Sequence, residues 1–153
     1  MNWTPTNTMK FSALSLTIIS ALALTVTAGP ATIKPRLVSE GEVKNWLANT
    51  DANITYVGGP ADSGLGSRDF ATTTVVSCDK RTADICGGTC KVYTGGPTCL
   101  DVPGTSCLMA TSNVGFCDKG GCGGSCNQFS TCGTRLPSGF CFTPGTRSIL
   151  VGA

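Results

Sequence analysis

Apolar residues follow three different patterns along this chain. From Phe11 to Ala28 they form a nearly unbroken run, FSALSLTIISALALTVTA, preceded by the polar stretch MNWTPTNTMK with its single charge at Lys10. Between Ser39 and Asn49 they recur at helical spacing, with Val43, Trp46 and Leu47 on one face. From Thr72 onward they sit in short β-forming segments, TTTVVS, KVYT, FCFT and SILV, punctuated by glycine and proline.

The first pattern predicts a signal peptide over residues 1–28. Val26-Thr27-Ala28 places small side chains where a signal peptidase needs them, so cleavage is expected after Ala28. A membrane anchor would need about 20 apolar residues, and this run is diluted by Ser12, Ser15, Thr17, Ser20, Thr25 and Thr27. The mature protein is therefore expected to be secreted and extracellular, with no membrane insertion.

The second pattern predicts a short helix at about 40–48. Ser39 followed by Glu42 reads as a capping box, and Val38 with Val43 as its hydrophobic staple. Such a helix is marginal alone, so it packs on the rest or frays. Residues 29–74 otherwise read as a linker or pro-segment. Asn53-Ile54-Thr55 is an N-glycosylation sequon, and GGPADSGLGSRD from Gly58 has linker composition. Lys34-Pro35-Arg36 and Lys80-Arg81 are basic sites of the kind secretory convertases cut, and folding is expected to hide the second.

The third pattern, over residues 75–151, predicts a mainly β module of short hairpins. Gly95-Gly96 and Leu136-Pro137-Ser138-Gly139 read as hairpin loops, and Pro103-Gly104 and Pro144-Gly145 as type II turns. Composition changes what can hold such a module together. All ten cysteines of the chain, Cys78, Cys86, Cys90, Cys99, Cys107, Cys117, Cys122, Cys126, Cys132 and Cys141, fall inside it. Leu, Ile, Val and Phe make up about a fifth of it, near the floor for folding by burial alone. A thin core, an even cysteine count and an oxidising compartment point together to five disulfides.

The cysteines also recur in order. CDKRTADICGGTC from Cys78 aligns with CDKGGCGGSC from Cys117, and TCLDVPGTSC from Thr98 aligns with FCFTPGTRS from Phe140. This reads as an internal duplication that matches Cys99 with Cys141. Cys107 and Cys132 are then left over, as candidates to bond each other. Ten cysteines admit hundreds of pairings, and sequence alone does not choose among them.

The string CGGTCKVYTGGPTCLDVPGTSCLMATSNVGFCDKGGCGGSCNQFSTCGTRLPSGFCFTPGTRSILV, with NITYVGG upstream, resembles the small secreted cysteine-rich proteins of mushroom-forming (basidiomycete) fungi. The resemblance covers most of the mature chain. It implies a secreted protein, effector-like or growth-associated, with no assigned reaction, and it carries over no functional residue.

Candidate chemistry adds little. Two Cys-x3-Cys units have zinc-ligand spacing, but thiols in the secretory pathway oxidise first, so no metal or other cofactor is expected. The chain has no histidine, which removes Ser-His and Cys-His nucleophile pairs, and the expectation is that it is not an enzyme. Asp79 and Asp118, at matching repeat positions, read as turn-stabilising carboxylates. The formal net charge of +2 is too small for a nucleic-acid partner. Tyr93, Phe129, Phe140 and Phe142 are the candidate binding residues. An exposed coplanar pair of these rings would favour a cell-wall polysaccharide; one apolar patch rimmed by Lys and Arg would favour an extracellular protein. The protein is expected to act as a monomer through protein interaction, with a carbohydrate-binding module as the alternative.

Overall fold

The computed structural model describes residues 37–58 and 72–152. The expected signal peptide, Lys34-Pro35-Arg36 and most of the glycine-rich stretch after Gly58 lie outside those residues. The helix, α1, runs Glu40–Asn49. Its start is fixed by reciprocal bonds. The Glu42 N–H donates to Ser39 Oγ at 3.2 Å, and the Ser39 N–H donates to the Glu42 carboxylate at 2.9 Å, so two otherwise orphaned donors are satisfied. The Val38 N–H donates to the Ala110 carbonyl at 3.2 Å, and Thr74 Oγ1 lies 3.0 Å from a Glu40 oxygen. Val43 is fully buried, and the Trp46 ring meets Phe140 edge-on at 5.0 Å. A helix too short to persist alone is thereby docked on the sheet.

The strands are β1 Asn53–Tyr56, β2 Thr73–Thr82, β3 Ile85–Gly95, β4 Thr98–Ala110, β5 Val114–Cys117, β6 Cys126–Gln128 and β7 Cys141–Val151, with a 3-10 turn at Phe129–Thr131. They form a seven-stranded sheet in the order β1-β3-β2-β4-β7-β5-β6. β1 is parallel to β3, and every other neighbouring pair is antiparallel. The fold is thus a small, disulfide-rich, mainly β structure with one helix. The segment expected as linker or pro-segment contributes both α1 and an edge strand to it, and β2 already begins at Thr73. Thr73 to Cys78 are buried on both faces, as suits a strand between two others with a helix packed nearby. Val75, Val76, Leu108, Met109, Val114, Phe129, Phe140 and Ile149 belong to one continuous core.

The register establishes the duplication. β2 pairs with β4 through Val75↔Ala110, Val76↔Met109, Ser77↔Leu108 and Cys78↔Cys107. β5 pairs with β7 through Val114↔Val151, Gly115↔Leu150, Phe116↔Ile149 and Cys117↔Ser148. The two ladders superpose step for step, so β2–β3–β4 and β5–β6–β7 are two copies of one unit. Between them, β4 and β7 pair symmetrically: Cys107↔Phe142 and Asp101↔Ser148 are the same pair approached from opposite ends, with Thr105↔Thr146 at the centre.

This register corrects two expectations. The Pro-Gly pairs do not separate strands. Each lies in an irregular stretch inside a continuous strand, with Thr105 Oγ1 donating to the Val102 carbonyl and Thr146 Oγ1 to the Thr143 carbonyl, both at 2.8 Å. Such bulges bend a strand without ending it. Gly95-Gly96 likewise does not close a hairpin, because β3 and β4 have β2 between them. By contrast, Leu136–Gly139 does form a turn, closed by Gly139 N–H to the Leu136 carbonyl at 3.1 Å.

All ten cysteines are paired: Cys78–Cys90, Cys86–Cys107, Cys99–Cys122, Cys117–Cys126 and Cys132–Cys141. The expected Cys107–Cys132 bridge is therefore wrong. Cys107 does have a counterpart in the second copy, but that counterpart is Ser148, and Cys99 matches Phe140. A cysteine matched to a serine is invisible to an alignment that counts cysteines.

Candidate functional site at the β2–β3 hairpin

Each copy carries a hairpin built around the Cys-Gly-Gly-[Thr/Ser]-Cys motif. In the first, the Thr89 N–H donates to Asp79 Oδ1 at 2.8 Å; in the second, the Ser125 N–H donates to Asp118 Oδ1 at 2.8 Å. Gly88 and Gly124 adopt φ of +79° and +77°, and a Cβ on either would run into the adjacent aspartate oxygen. The second glycine of each pair is thus required by both conformation and space. The two cysteines of each motif do not bond each other. Cys90 and Cys126 close their own hairpins, to Cys78 and Cys117, while Cys86 and Cys122 reach out to the β4–β7 ribbon.

The β2–β3 hairpin is three residues longer before its Cys-Gly-Gly motif than its counterpart, and the extra length projects a tip. The chain reverses through Ala83 and Asp84, with Ala83 at φ +52°. Ile85, next in line, is 71% exposed, the most exposed large apolar side chain among the described residues. Arg81 lies across the half-buried Phe142 ring at 4.2 Å. Its Nε donates to the Ala83 carbonyl at 2.6 Å, and its Nη2 lies 3.8 Å from Asp84. One concavity of about 550 Å³ lies between the tip and Ser106 and Phe142, lined also by Asp79, Lys80 and Arg81. Another of about 380 Å³ lies beside Ile85, Gly87 and Asp51, and Lys80 borders both.

The candidate aromatic residues are dispersed. Phe129 and Phe140 are fully buried, so neither offers a ring face to a ligand. Tyr93 is half-buried, with its hydroxyl donating to the Gly96 carbonyl at 2.8 Å. Only Phe142 joins the hairpin site. Arg135 stacks on Phe129 at 4.2 Å and donates to the Phe129 carbonyl; burial lowers its pKa from the ordinary arginine value, and it holds the excursion between β6 and β7. Asn53 is exposed on the edge strand β1, with Thr55 exposed on the same side. Lys80-Arg81 lies within β2, paired to Gly87 and Cys86 of β3, which removes it from the extended, unpaired form a protease binds. Sequence reasoning missed Ile85 and the tip, whose only signal was the unequal spacing between Cys78–Cys86 and Cys117–Cys122.

The class defined by this architecture is a duplicated, disulfide-stapled, mainly β protein. No family model, curated protein or solved structure matches the chain. Among the described residues, no helix is long and apolar enough to cross a membrane.

Proposed function

We propose that this is a secreted, non-enzymatic module, glycosylated at Asn53, that acts by binding another extracellular protein through the β2–β3 hairpin tip. The observation that carries this reading is Ile85, exposed at the tip of a hairpin tied down by two disulfides, with Lys80 bordering the same concavity. An exposed apolar group on a rigid support is what a protein partner can desolvate without paying much ordering entropy. Secretion is supported by the Phe11–Ala28 pattern and by five disulfides, which persist in oxidising compartments. The absence of histidine from the sequence supports a binding role over acid–base catalysis.

The test is capture by the purified protein, immobilised in its disulfide-intact form, from extracellular protein fractions and on chitin, cellulose and β-glucan. Protein capture that is lost in Ile85→Asp, with the disulfide map unchanged, is the expected result. Retention on a polysaccharide that survives Ile85→Asp would establish the carbohydrate-binding alternative instead.

A further inference from the structure

The two copies treat the space beside their hairpins differently. In the second copy that space is closed from within. The Gly121 N–H donates to Asp101 Oδ1 at 2.7 Å, and Ser148 bridges the hairpin by accepting from the Cys122 N–H at 2.9 Å and donating to the Lys119 carbonyl. In the first copy, Cys107 stands where Ser148 does, and its Sγ lies 3.8 Å from the Lys80 carbonyl. Phe142 stands where Asp101 does. A phenyl ring has no oxygen to accept an N–H, so the carboxylate that closes one hairpin is missing beside the other, and the 550 Å³ cleft lies there.

Three features say what the cleft would take. β2 is paired to β4 only as far as Cys78, whereas its pairing to β3 continues to Thr82; from Asp79 onward, one edge of β2 carries no neighbouring strand. An extended segment can lie along such an edge. Lys80 and Arg81 give the cleft lining two cations against one carboxylate, Asp79, whose Oδ1 is taken up by the Thr89 N–H; Asp84, outside the lining, faces Arg81 from the exposed tip at 3.8 Å. Finally, Arg81 is held in place by Phe142 and the Ala83 carbonyl, and a guanidinium presents five N–H donors, so its remaining donors are oriented in advance.

We infer that the cleft between the end of β2 and Phe142 binds an extended acidic segment of a partner protein, whose carboxylate meets Arg81 on the side of the hairpin that Asp101 closes in the other copy. This rests on the protein-interaction reading and names the partner's chemistry.

The experiment is an NMR titration of the disulfide-intact protein with a synthetic glutamate-rich peptide, its glutamine counterpart serving as control. Shifts confined to the amides of Lys80 to Ala83, Ser106 and Phe142 are expected. Binding should weaken at least about tenfold in Arg81→Gln and fall with added salt, as a charge-driven contact does. Phe142→Asp supplies the missing carboxylate from the chain itself and is expected to block the peptide. If it fails to fold, Arg81→Gln carries the test alone. Equal shifts with the glutamine peptide, shifts elsewhere, or occupancy by a sulfated polysaccharide in place of the peptide would overturn the inference. Ile85 borders the other concavity, so peptide binding should survive Ile85→Asp. Loss of the peptide inference with partner capture still dependent on Ile85 would leave the protein-interaction reading standing.

Discussion

The β2–β3 and β5–β6 hairpins start from one motif and share one internal bridge, but each is tied to the central ribbon in its own way. The first is stapled within its own copy, by Cys78–Cys90 and Cys86–Cys107, with all four cysteines buried. The second keeps the matching internal bridge, Cys117–Cys126, but its other cysteine crosses copies: Ser148 replaces the cysteine that Cys122 would otherwise meet, and Cys122 bonds Cys99 of β4 instead. Two exchanges, serine for cysteine at Ser148 and cysteine for phenylalanine at Cys99, therefore redirect a covalent bond while the pairing around it is kept. The motif sets how the chain turns; the residue opposite it on the central ribbon sets where the bond goes.

The sharpest way to break this equivalence is to attack the shared turn. Gly88→Val and Gly124→Val each combine a left-handed φ with a clash against an aspartate. Each is expected to cost more than about 3 kcal/mol, read as collapse of the yield of folded protein and scrambled bridges in a non-reducing peptide map. Gly87→Ala and Gly123→Ala, whose added Cβ atoms would meet nothing closer than 3.6 Å, should be tolerated. If only one of the valine variants fails, the two turns are not equivalent.

A smaller effect separates the two kinds of staple. Replacing Cys86 and Cys107 together by serine opens a bridge of sequence separation 21 and should cost about 3 kcal/mol in denaturant unfolding. Ser148→Ala, the matching lesion in the second copy, leaves the Cys122 N–H and the Lys119 carbonyl without their partner, for about 1–2 kcal/mol. A larger loss from Ser148→Ala than from the double cysteine variant would reverse the expected order of the two staples.

Local signals were legible in the sequence, and pairings between distant segments were not. The capping box at Ser39 and Glu42 and the apolar face of Val43 and Trp46 depend on neighbours three or four residues apart, so they read directly. So did the repeated Cys-Gly-Gly motif. β1 did not, because a four-residue edge strand has no room for periodicity and is defined by a parallel partner far along the chain. Pro103-Gly104 and Pro144-Gly145 read as turns because turn chemistry is local. What makes them bulges is the β4–β7 pairing, which no short window contains. At the hairpin site, Phe142 was among the candidate rings, but Arg81 drew notice only as half of a basic cleavage site. Their contact depends on the strand order.

The β4–β7 ribbon has a further consequence. Its register is unchanged when the copies are exchanged, with Thr105 and Thr146 on the exchange axis, and that is the form of an isologous dimer interface. The molecule has the geometry of a dimer of three-stranded units made into one polypeptide by the short connection Thr111–Asn113. In a true homodimer, any change in one hairpin appears in both. Fusion lifts that constraint, and here one hairpin is closed by Asp101 and Ser148 while the other is longer and open.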